Sequence, residues 1–276
     1  MSWLQTAPIG WVAASILAGL VLVHELALQL GRRVGRQGEH SDIRGYMISS
    51  ALALLGLLMA FTFSAAQERF GLREQLGVVE ANALGTTYHQ FQLVKSPWRE
   101  ALSACLLRYA ETRLRFAEPR SAAEMEAGAR RAAVYQDRIW KMMPAAVQTH
   151  PVPMLTPALV HSADQSFDVA ASRRAAQEMR VPAVVLQVLL ISSLMVSGLL
   201  GYTEAAEQRQ TGVLIGILAL LTLALCLILD LDRPVGGAIA VSQLPMQRTL
   251  DEIRRGEAGR PADCTGAPAP PAATPP

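Results

Sequence analysis

The 276-residue chain is 51% hydrophobic and 17% charged, with 25 basic against 23 acidic side chains. That near balance, with Lys95 and Lys141 as the only lysines, argues against nucleic acid as a partner. The average also hides a concentration of apolar residues that no soluble domain carries.

Two apolar runs near the start, Ile9 to Leu30 and Tyr46 to Ser64, are matched by two near the end, Val181 to Gly201 and Thr211 to Leu231. Each has about the 20 residues needed to cross a hydrocarbon core of ~30 Å. The first run has no Lys or Arg before it and no small-residue cleavage site, and it is too long for a secretory signal. It is expected to remain as a span. The link to the second run, Gly31 to Gly45, is short and basic, with Arg32, Arg33, Arg36 and Arg44 against Glu39 and Asp42.

No proline interrupts Tyr46 to Val94, so the second membrane helix is expected to run on into water as one rod. Ser96 and Pro97 read as the N-cap and first residue of a helix to about Ala117. Ser121 with Glu124 forms a capping box for a helix that Pro144 should stop. Pro151, Pro153 and Pro157 mark a linker, and Thr156 caps a helix reaching Arg180. Past Asp251 the chain becomes rich in Gly, Ala and Pro, and it should be disordered from about residue 259.

These signals predict an all-α protein with four transmembrane helices in a 2 + 2 arrangement around an aqueous antiparallel helical bundle. The expected divisions are 1–64 (spans one and two), 65–180 (aqueous helices), 181–232 (spans three and four) and 233–276 (C-terminal segment). Cys105, Cys226 and Cys264 are odd in number, far apart and without a C-x-x-C pair, so neither a disulfide framework nor a zinc site is expected. No metal, cofactor or catalytic constellation is indicated, and the chain reads as a non-enzyme.

Several residues stand out within this frame. Gly56, Ala60 and Ser64, then Ser193, Ser197 and Gly201, and also Gly212 and Gly216 are small residues at helical spacing. They suit close helix approach, within one chain or between chains. His24 and Glu25 are ionisable groups inside the first run. Snorkelling or pairing with Arg32 or Arg33 is the ordinary account, and a functional role the sharper one. Asp230 and Asp232 close the fourth span, where the free carbonyls disfavour negative charge, so Arg233, Arg69 or Arg73 should sit beside them. Two carboxylates are too few for a calcium cage. Glu80 and Asn82, among apolar neighbours, read as a buried polar knot or as a satisfied interhelical hydrogen bond.

The stretches His40-Ser41-Asp42-Ile43-Arg44-Gly45 and Glu80-Ala81-Asn82-Ala83-Leu84, with Asp232-Arg233-Pro234, Gly236, Val241, Ser242 and Pro245, resemble the signatures of the bacterial bestrophin-like family. Ser41 and Arg44 depart from that family's usual Asn and Ala. The resemblance covers nearly the whole chain except the tail. It implies an architecture similar to bestrophins, which are pentameric anion channels with a pore-lining second span and a cytosolic vestibule of aqueous helices. Leu55, Met59 and Phe63 would then form an apolar neck that gates by dewetting, and lipid or core packing is their ordinary role. His40, Asp42, Glu80, Asn82, Asp230 and Asp232 become polar or ion-contact candidates.

The expectation is a homo-oligomer, on this resemblance a pentamer, that sits in the lipid bilayer of a bacterial inner membrane and passes small ions, anions by the same resemblance. The arginines of the first link argue for that link being cytoplasmic. The resemblance puts the aqueous helices there instead, and we follow it. A non-conducting scaffold or sensor whose helical part binds a partner protein is the alternative.

Overall fold

The computed structural model describes residues 7–34, 41–117, 121–148, 155–205, 211–233, 237–259 and 264. Among these the only regular element is the helix: α1 Ile9–Arg33, α2 Ser41–Gln92, α3 Trp98–Arg115, α4 Ala122–Gln148, α5 Leu155–Glu178, α6 Ala183–Glu204, α7 Thr211–Asp232 and α8 Leu244–Gly256. Helices α1, α2, α6 and α7 hold the stretches long and apolar enough to cross a membrane. The all-α, four-span class expected from the sequence is the one the chain adopts. Helix α2 is a single rod of 52 residues, roughly 80 Å at ~1.5 Å per residue.

The chain divides into two compact units, Met1–Phe70 with Met179–Ile239, and Gly71–Glu178 with Ala240–Pro276. In the first, Val12, Ile16 and Leu20 of α1 share a core with Leu55 and Met59 of α2, Leu189 and Val196 of α6, and Leu218 and Leu225 of α7. Helices α1 and α6 approach closely because α6 offers small residues to α1. Ser197 Oγ donates to the Leu20 carbonyl at 2.7 Å, and a Cβ on Gly201 would collide with the His24 carbonyl. The Ser193, Ser197 and Gly201 row is therefore consumed within the chain.

The second unit is built around Leu84, Phe91, Leu102, Leu106, Tyr109, Ile139 and Leu159. The Tyr109 ring meets Phe167 edge-on at 5.4 Å. Burial pushes the Tyr109 phenol up to about 12, so it stays protonated at neutral pH. The Ser121 cap forms as expected: its hydroxyl accepts the Glu124 N–H at 3.2 Å.

Two sequence expectations give way here, and one further helix is added. Pro144 does not end α4, which continues to Gln148. The proline forfeits one backbone hydrogen bond at a cost of ~3 kcal/mol, but Met142, Met143 and Ala146 are all buried in the core and hold the turns on either side of it. The second helix of the unit opens at Trp98, one residue later than expected, with Pro97 as its N-cap. The C-terminal segment holds a further helix, α8, with Met246, Leu250 and Ile253 buried at a spacing that makes one apolar face.

The cysteine reading is also corrected. Cys105 and Cys264 form a disulfide across a separation of 159 residues, and Arg138 donates to the Cys264 carbonyl at 2.9 Å. Of the tail expected to be disordered, residues 260–263 and 265–276 lie outside the described residues. Cys226 is the free thiol among the described cysteines.

Candidate functional site

Helix α2, like the other spans, buries one side in the span unit and opens the other. Leu55, Met59, Thr62 and Ala66 are buried at helical spacing, and Thr62 Oγ1 satisfies itself on the Leu58 carbonyl at 2.8 Å. The other side of the same helix is open: Leu54, Leu57 and Phe61 are 61%, 52% and 67% exposed. Gly56, Ala60 and Ser64 lie exposed along that side, and a Cβ on Gly56 would meet nothing within 4 Å. Of the three residues expected to line a neck, Leu55 and Met59 thus sit in the chain's own core and Phe63 is half-buried against it. A one-residue rotation around a helix is 100°, and composition does not distinguish Leu54 from Leu55.

His24 is 1% exposed, and its Nε2 lies 3.0 Å from the Glu204 carboxylate at the end of α6. His24 therefore meets the third span. Glu204 was not singled out from the sequence, because only the α1–α6 approach reveals that the two residues meet. Glu25, next to His24, is half-buried.

Asp230 and Asp232 bind backbone amides. The Asp230 carboxylate accepts the N–H groups of Ala238 and Ile239, each at 2.9 Å, which folds the chain back at the end of α7. Asp232 Oδ1 accepts the Val181 N–H at 2.7 Å, just ahead of α6. Arg233 donates to the Ala7 carbonyl at 2.7 Å. Part of the electropositive company expected for Asp230 is supplied by peptide dipoles. Among the described residues no group of three His, Cys, Asp or Glu side chains is placed to hold a metal ion.

Glu80 lies sixteen residues beyond the apolar stretch of α2 and is fully buried. Arg113 of α3 donates to one carboxylate oxygen, and Arg173 of α5 donates to the other at 2.7 Å. Arg173 extends the knot to Gln243 Oε1 at 2.9 Å. Burial raises the Glu80 pKa, but the charges and hydrogen bonds of Arg113 and Arg173 outweigh it and hold the group below its usual range. Asn82 is exposed, and its carbonyl accepts the Thr86 hydroxyl at 3.1 Å. His40 and the Asp42 side chain lie outside the described residues.

The model of the Bestrophin-like domain matches residues 15–246. Among solved structures, two crystal structures of a bacterial bestrophin homolog from Klebsiella pneumoniae share the fold. One carries a tryptophan-to-alanine mutation and matches with a TM-score of 0.64 at 15% identity, over 90% of this chain and 96% of that one. The other carries a tyrosine-to-alanine mutation and matches with a TM-score of 0.63 at 14% identity, over 87% and 95%. No protein with a curated description matches. At such identity the solved structures speak for the fold alone, while the domain match spans most of the sequence: the chain belongs to the Bestrophin-like family.

Proposed function

We propose that this protein is a homo-oligomeric channel passing small ions, anions by family resemblance, across a bacterial inner membrane without covalent chemistry. The observation that carries this reading is the open side of α2. Leu54, Leu57 and Phe61, with Gly56, Ala60 and Ser64, form an apolar and small-residue face that the chain's own packing leaves unfilled. Helices bearing such a face around a common axis would create an apolar constriction, where dewetting controls ion passage. Phe63 stands at the margin of that face, and Leu55 and Met59 support it from behind. The reading keeps the helical unit on the cytoplasmic side.

The test is ion current from the purified protein in planar bilayers, with the oligomer mass measured in detergent. Phe61→Ala is expected to change conductance, whereas Met59→Ala should act on stability first. A stable monomer would remove a central pore and leave the non-conducting scaffold. An oligomer silent in every salt would sink conduction itself.

A further inference from the structure

Several arginines and lysines of the helical unit sit beside an acid one turn away: Arg130 with Glu126, Lys141 with Asp137, Arg174 with Glu178. One place gathers four arginines around a single space. A cleft of about 750 Å³ between α3, α4 and α8 is lined by Arg108, Arg115, Arg131 and Arg254 against a single carboxylate, Glu111. Glu111 is already engaged twice, by Arg108 at 3.0 Å and by Arg254 at 3.0 Å, so it ties two of the four guanidiniums from different helices into one cluster, and Arg254 also lies 3.7 Å from Asp251 on its own helix. Among the described residues neither Arg115 nor Arg131 meets a carboxylate. Both lie over the ring of Phe116, at 5.8 and 5.5 Å from its centroid. That ring is itself wedged on Gly128, where a Cβ would stand 2.6 Å from it.

The geometry points to this cleft as a binding site for an oxyanion of the phosphate class carrying two or more negative charges. Four like charges facing one concave space repel each other, and a concave wall focuses their field on whatever enters. Guanidinium forks match phosphate oxygens two at a time, and such charge-assisted bonds are about twice as strong as neutral ones. The Phe116 stack and the Glu111 tie hold the forks in place before the ligand arrives, which lowers the ordering cost of binding. The site is independent of whether the spans conduct. A free polyphosphate-like solute and a phospholipid headgroup present the same chemistry, and the experiment separates them.

The test uses the full chain purified in detergent, titrated calorimetrically with pyrophosphate at low ionic strength. We expect saturable binding that weakens as salt is added and falls about tenfold or more in the double variant Arg115→Ala, Arg131→Ala. Arg130→Ala removes the same charge from the neighbouring position outside the cleft and should leave affinity unchanged. If pyrophosphate fails but phosphatidic acid in the micelle raises the melting temperature, and the double variant abolishes that rise, the same cleft takes a lipid headgroup. No effect from either probe, or equal losses in Arg130→Ala and the double variant, overturns the site.

Discussion

The span unit and the helical unit satisfy their buried polar groups by different means. In the spans many partners are backbone: Ser197 on the Leu20 carbonyl, Asp230 on two amides, Asp232 on the Val181 amide, while His24 and Glu204 lie 3.0 Å apart without a hydrogen bond between them. In the helical unit the central device is ionic, one carboxylate shared between Arg113 and Arg173. A hydrocarbon surround cannot replace a lost partner with water, so local backbone acceptors are the economical choice there. A helical unit in water can carry a charged knot, because two cations around one anion offset its desolvation.

Glu80→Gln should give the largest effect on this contrast. It leaves two buried guanidiniums facing each other and is expected to destabilise the helical unit by about 3–5 kcal/mol, measured by thermal unfolding in detergent. The pH dependence has a definite sign. Because the folded-state pKa of Glu80 is depressed, its stabilisation is present above the unfolded carboxylate range and is lost as pH falls through the lower folded-state value. The variant should flatten that acid limb, and an unchanged limb would remove Glu80 from the account.

Gly201→Val comes next. Its Cβ would be driven into the His24 carbonyl, and overpacking of this kind costs about 1–3 kcal/mol. Gly56→Val is its counterpart, a substitution into open space. It should leave the single chain as stable as before and act only on the oligomer mass or on conduction. Equal destabilisation by both would erase the distinction between a consumed row of small residues and an open one. The smallest effect is expected for Ser197→Ala, about 0.6 kcal/mol, read from the same unfolding assay.

The two rows also show what a sequence can carry. Gly56-Ala60-Ser64 and Ser193-Ser197-Gly201 have the same spacing, and that spacing announces a face able to come close to another helix. It does not say which helix arrives. The four spans, the unbroken α2 and the Ser121 cap are local properties and could be read directly. His24 meeting Glu204 depends on a tertiary approach between residues 180 positions apart in order. Helix α8 was legible in Met246, Leu250 and Ile253, but the Gly, Ala and Pro residues that follow obscured it. Pro144 misled because burial of its neighbours outweighed a local rule. Leu55 and Met59 misled because helical phase, set by packing, decides which side of α2 is open.

Cys105 is fully enclosed and Cys264 nearly so. Exchange requires a thiolate to reach one sulfur in line with the bond, so glutathione has no route to this bridge while the unit stays folded. Such bridges are installed in the periplasm and its equivalents and are rare in a reducing cytosol. The redox state of this one pair therefore reports on which face of the bilayer the helical unit matured. Acid quenching of intact cells, then alkylation under denaturing, non-reducing conditions and mass analysis of the peptides holding Cys105 and Cys264, reads it out. Alkylated cysteines match the cytoplasmic arrangement, and a pair that resists alkylation turns the protein over, placing Arg32 and Arg33 inside the cell.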